Sequence, residues 1–137
     1  MTSATDRDPA FAVSAGLHDD AIIVRPAGEL DLASTPILRA QLERIWALPD
    51  VAVLIMDLSE VTFCDSTGLA VLIATLRRSR ERGARLMLAG ITGMLVRLLA
   101  LTGLRDAFAI YPDVTEALRA AAGRSADHSA EPHNPAS

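Results

Sequence analysis

Apolar and polar positions change their spacing several times along this chain, and each change marks the edge of an element. Phe11 to Ala15 and Ala21 to Ala27 read as two strands around Gly16-Leu17-His18-Asp19-Asp20, a polar connection of hairpin length, so they predict an antiparallel opening pair. Pro26 has no N–H to give a ladder, which places it near a strand end or on an edge. From Ala33 to Leu48, Leu38, Leu42, Ile45 and Trp46 recur at helical spacing, Pro36 suits a first turn, and Ser34 or Thr35 is the expected cap. Pro49-Asp50 ends that helix. Val51 to Met56 is then unbroken apolar sequence, the pattern of a strand covered on both faces, and is expected at the centre of a sheet.

The second half of the chain alternates in the same way. Leu69, Leu72, Ile73 and Leu76 share one face of a helix that starts about Ser66 or Thr67, and Arg77, Arg78, Arg80 and Arg82 solvate its end, where cations suit the negative helix terminus. Gly83 breaks it. Arg85 to Ala89 predicts a strand, Ile91 to Leu101 a short amphipathic helix closed by Thr102-Gly103, Ala107 to Tyr111 a last strand, and Asp113 to Ala122 a last helix. Strands and helices in this order predict an α/β domain with right-handed crossovers. Its single, mostly parallel sheet would hold about five strands, the N-terminal one antiparallel, with about four helices.

With 137 residues, 50% of them hydrophobic, the chain has material for one core. Residues 9–122 are the expected domain, and the polar stretches 1–8 and 123–137 the expected disordered tails. A formal charge of -4 offers no footprint for a phosphate backbone, which argues against nucleic acid. Cys64 is the single cysteine, so no intramolecular disulfide forms, and nothing around it has metal-ligand spacing. A cytoplasmic location follows, since the first residues do not read as a signal peptide and no apolar run approaches the roughly 18 to 20 residues of a membrane span. No cofactor is implied.

The chemistry of interest gathers at Asp65-Ser66-Thr67-Gly68, where a strand gives way to a helix, the place where ligands and partners meet open α/β sheets. Two hydroxyls and a carboxylate there face backbone N–H groups that favour oxygens or a phosphate. The plain alternative is an N-cap at Asp65 or Ser66. Catalysis by Ser66 would need a base, yet His18, His128 and His133 fall in a turn and a tail. No nucleophile elbow, phosphate loop or metal spacing occurs, so an enzyme is not expected.

Asp-Ser-Thr-Gly-Leu after a hydrophobic strand and a Phe, with Gly28-Glu29-Leu30-Asp31 upstream and Leu101-Thr102-Gly103-Leu104 downstream, resembles the STAS family of anti-sigma-factor antagonists. The likeness spans about Phe11 to Ala120. Cys64 stands where residues such as Met are usual, and Ala70 where Gly is common. The resemblance implies a protein that binds an anti-sigma factor when unphosphorylated and so releases a sigma factor. The anti-sigma factor is also an ATP-dependent serine kinase, and a serine phosphatase is a further candidate partner. It places the phosphoacceptor on Ser66, with Thr67 as the competitor, and partner contacts on Asp31, Asp65, Ser66, Thr67 and Gly68. The other reading is a STAS module of a different assembly, a lipid-transport complex or a stressosome-like scaffold, with the same fold.

Asp31 has an equally good local reading as a cap of the first helix. Cys64 reads as a small buried hydrophobe, Trp46 as core, and the run from Arg77 to Arg85 as a solvated helix end.

Overall fold

The computed structural model describes the backbone of residues 11–130 and the side chains of residues 11–123. Its elements are β1 (Phe11–His18), β2 (Ala21–Leu30), α1 (Thr35–Trp46), β3 (Val53–Asp57), β4 (Val61–Cys64), α2 (Ser66–Glu81), β5 (Arg85–Ala89), α3 (Gly93–Leu101), a 3-10 turn (Arg105–Ala107), β6 (Ala109–Tyr111) and α4 (Val114–Ala130). The sheet runs β1-β2-β3-β5-β6, antiparallel between β1 and β2 and parallel elsewhere. This is the α/β architecture expected from the sequence, with one strand more: β4 also pairs with β2.

The extra strand follows from the length of β2. Its first residues, Ala21 to Val24, pair with β3, and its last, Gly28 to Leu30, pair in parallel with Val61 to Cys64 along the same edge. A bulge lies between Gly28 and Glu29, and Gly28 has φ 116°, a conformation that glycine takes without a Cβ penalty. Arg25 to Ala27 falls in the gap between the two partners. Pro26 sits in that gap, buried inside an interior strand rather than near a strand end or on an edge, because no neighbour pairs with it on that side.

Other boundaries move as well: the central strand is Val53–Asp57 rather than Val51 to Met56, and Ala107 falls in the 3-10 turn before β6. The hairpin is tighter than expected: β1 continues to His18, which pairs with Ala21, so Asp19-Asp20 alone makes the turn, and Asp19 takes φ 55°. His18 is therefore a strand residue. The last helix runs past Ala122 to Ala130, and residues 1–10 and 131–137 lie outside the described residues.

Val53 to Asp57 is buried throughout, as expected of a central strand. On one face of the sheet, Val24, Leu30, Leu54, Met56, Leu86 and Leu88 pack against Leu38, Leu42 and Trp46 of α1, Leu69 and Leu72 of α2, and Leu95 and Leu99 of α3. On the other, Val53, Ile55, Met87 and Ala89 meet Ala117 and Ala121 of α4. Trp46 is core, as expected. Arg78 and Arg82 do more than solvate the end of α2. Arg78 pairs with Glu43 of α1 at 3.2 Å, and Arg82 lies 6.0 Å from the Trp46 ring centroid.

Candidate functional site

Cys64 is the last residue of β4 and pairs with Leu30, the last of β2, so both chains leave the sheet at the same end. Asp65 N–H donates to the Leu30 carbonyl at 3.3 Å. Parallel pairing thus brings the segment after Leu30, which begins with Asp31, beside the segment that begins with Asp65.

Asp65 is the N-cap of α2. Its Oδ1 accepts from Thr67 N–H at 2.9 Å, from Gly68 N–H at 3.2 Å and from the Thr67 hydroxyl. The Thr67 hydroxyl, above all, holds the Asp65 carboxyl below the ordinary aspartate range, and the two backbone N–H groups add to it. Ser66 is exposed on the first turn of the helix. Its hydroxyl has no hydrogen-bond partner among the described residues. The two candidate acceptors therefore differ: one is engaged by the cap and the other is free.

Gly68 is buried, and its place is fixed by closeness. A Cβ there would stand 2.7 Å from Cys64 Sγ, 2.9 Å from Leu30 Cγ and 2.9 Å from the Leu30 carbonyl oxygen. Without a side chain the first turn of α2 lies directly on β2 and β4. Cys64, sealed beneath it, has its thiol pushed up to about 11 by burial and by the neighbouring Asp65 charge, as befits a small buried hydrophobe.

Asp31 does not cap α1, whose N-cap position is Ser34, because its carboxylate is spent on the turn that precedes the helix. Its Oδ1 accepts from Ala33 N–H and Ser34 N–H, both at 3.1 Å, and closes the turn into α1. Ser34 is the boundary residue of α1 but does not cap it. Its hydroxyl turns back to donate to the Glu29 carbonyl at 2.7 Å and accepts from Asp31 N–H at 2.9 Å. This stitching fixes Asp31 against the end of β2.

Sequence reasoning missed the clamp that aims β4. Asp57, buried at the end of β3, accepts from Arg25 Nε at 2.7 Å, from the Ser59 hydroxyl at 2.7 Å and from Ser59 N–H at 3.1 Å. Burial opposes its charge, but the bonds from Ser59 and Arg25 prevail and hold the carboxyl below its ordinary range. It also missed three exposed apolar side chains, Leu32, Phe63 and Met94, which are 74%, 38% and 48% exposed. Leu32 follows Asp31, Phe63 lies on β4 just before the turn, and Met94 is on α3, which packs beside β4. Phe63 next to a polar turn was the one legible signal.

Among the described residues no group of His, Cys, Asp and Glu side chains could hold a metal ion, and no helix is long and apolar enough to cross a membrane. The family model described as STAS domain matches residues 12–117. An anti-sigma-B factor antagonist of Listeria monocytogenes is 38% identical over 87 residues, 64% of this chain and 75% of that protein. An anti-sigma factor antagonist from Mycobacterium paratuberculosis superposes with a TM-score of 0.74 at 29% identity, over 87% of this chain and 97% of its own. The Bacillus cell fate determinant SpoIIAA in its phosphorylated form shares the fold, with a TM-score of 0.66 at 19% identity, over 80% of this chain and 99% of that one.

Proposed function

The chain belongs to the STAS domain family, and from that premise we propose that it acts as an anti-sigma-factor antagonist switched at Ser66. Unphosphorylated, it binds an anti-sigma factor that is also a serine kinase, and a sigma factor is released. The kinase moves the γ-phosphoryl of ATP to Ser66 Oγ, whose proton is lost, and the complex dissolves. A serine phosphatase resets it. The setting under this reading is the cytoplasm. Asp31, Asp65, Thr67 and Gly68 shape the contact surface, and Leu32, Phe63 and Met94 supply its apolar rim.

The observation that carries this reading is the contrast between two adjacent hydroxyls. Ser66 is exposed and free, whereas Thr67 donates to Asp65 and would lose that bond on modification. The electrostatics support it too. A phosphate adds about -1.5 to -2 charges. At this helix end the N–H groups of Thr67 and Gly68 are already taken by Asp65, so the new charge meets a carboxylate with little local compensation. In water that is tolerable. Under a docked partner, both anions would be desolvated together.

The test is incubation with the cognate anti-sigma kinase and ATP, read by mass spectrometry, followed by calorimetric titration. One phosphate on Ser66 is expected, absent in Ser66→Ala and retained in Thr67→Ala, with partner affinity down at least tenfold, about 1.4 kcal/mol. Phosphate on Thr67, or unchanged affinity of the phosphorylated chain, would overturn the reading. Capture of transporter or scaffold subunits instead of a kinase would move it to another STAS assembly.

A further inference from the structure

We propose that two copies of this chain associate edge to edge through β1, antiparallel, with Ala15 of one protomer opposite Ala15 of its partner.

Among the described residues the edge itself is unguarded. β1 is a terminal strand of the sheet and spans 8 residues, and among the described residues its outer side pairs with nothing. Sheet edges are commonly protected by lysines, prolines, inward charges or bulges. From Phe11 to Leu17 there is no charge and no proline, and the pairing of β1 with β2 proceeds without a register shift. The chain carries a net charge of -4, yet nothing on this strand would repel a copy of itself.

The second observation is the apolar alternation of the strand. Phe11 is in the core on the α1 side of the sheet and Val13 packs against that core. By the two-residue period Ala15 and Leu17 share this face. Leu17 is 75% exposed. Beside Val13 an open groove of about 400 Å³ runs along Pro36, Ile37 and Ala40 of α1, flanked by Gln41 and Arg44. Ile37 is itself half exposed.

A second copy fits both features at once. A two-fold axis normal to the sheet keeps the α1 faces of both copies on one side, so odd residues meet odd residues. With the axis at Ala15, Leu17 falls opposite Val13 of the partner subunit and covers the groove beside Ile37. Ser14 meets Gly16, and His18 meets Ala12, which puts the acidic Asp19-Asp20 tips at the two outer ends. The interface is isologous, and every exposed odd position of β1 finds an apolar neighbour.

The test uses the full chain in sedimentation equilibrium from about 1 to 300 μM. A concentration-dependent dimer is expected, and Leu17→Lys and Ala15→Lys, both at exposed positions, should each raise its Kd at least tenfold while leaving the circular dichroism spectrum unchanged. Register is read by oxidation: Ala15→Cys should give a disulfide-linked dimer faster than Ser14→Cys, with Cys64 inert beneath α2. A monomer at every concentration would overturn the proposal, whether solvent or residues 1–10 occupy the edge. So would a dimer that neither lysine weakens, or one that Ser14→Cys links faster.

Discussion

At its N-terminus α2 is held by a carboxylate and a missing side chain; at its C-terminus it is held by arginines that reach across to α1. The first end is close-packed and tight. Asp65 accepts three hydrogen bonds from its own helix, and Gly68 lets the backbone rest on Leu30 and Cys64. The second end is long-range and loose: Arg78 meets Glu43 on the surface, and Arg82 lies over Trp46 and donates to the Leu48 carbonyl at 3.5 Å. Both ends suit the helix dipole. The first leaves a neutral hydroxyl exposed and free, at Ser66, whereas the second leaves the charges of Arg80 and Glu81 in solvent. Under the proposed function, that rigidity around an exposed hydroxyl is what separates the phosphoacceptor turn from a solvated helix end.

The sharpest way to break the comparison is Gly68→Ala. Its Cβ would meet a backbone carbonyl as well as two side chains, so helix or strand must shift, and a loss of about 2–3 kcal/mol is expected in urea unfolding. Phosphoryl transfer to Ser66 should fall with it, since the hydroxyl is displaced. An unchanged midpoint would show that the first turn is looser than its packing implies.

Acid distinguishes the ends next. The folded Asp65 carboxyl titrates below the 3.8 of an unperturbed aspartate, and so does that of Asp57. A lowered folded value stabilises above the unfolded value and is lost as pH falls through the folded one. Stability should therefore be level down to about pH 4 and fall below it. Asp65→Asn keeps a capping oxygen but cannot titrate, so it should flatten that acid limb while lowering stability at pH 7 by less than Gly68→Ala does. An acid limb of wild-type steepness in this variant would remove Asp65 from the account.

The smallest effect belongs to the other end. Arg78→Ala should cost at most about 0.5 kcal/mol, and 1 M salt should erase the difference, because the pair with Glu43 is exposed. Phosphorylation of Ser66 should not change. A loss above about 1 kcal/mol, the ceiling for an exposed pair, would mean that the two helix ends are coupled.

What the sequence disclosed, and what it withheld, divides along the range of the contacts. The helical stripes, the doubly covered β3 and the polar turn opening α2 are written in local period. The strand β4 is not: Val61-Thr62-Phe63-Cys64 is short, exposes Phe63, and becomes a strand only because β2 is long enough to receive it past the Gly28 bulge. The proximity of the Asp31 and Asp65 segments rests on that pairing, and no local pattern carries it. Ser34 illustrates a local rule overruled. Its hydroxyl finds the Glu29 carbonyl, because the turn shaped by Asp31 folds it back on β2. The close approach at Gly68 and the Arg25–Asp57 pair likewise join residues far apart in the chain.

The clamp on Asp57 also bears on chain entropy. Only residues 58–60 separate β3 from β4, and their conformation is pinned from several sides: Asp57 by Ser59, Leu58 N–H on the Ala89 carbonyl at 2.8 Å, and Gly90 at φ 70° leaving room for Ser59. Closing so short a loop onto a strand already in place sacrifices little freedom. The segment that delivers Ser66 to the surface is thus positioned at small entropic cost once the centre exists. Within β4 the freedom to change falls on the exposed Thr62 and Phe63, since Val61 and Cys64 belong to the core, and that leaves the face beside the turn open to divergence.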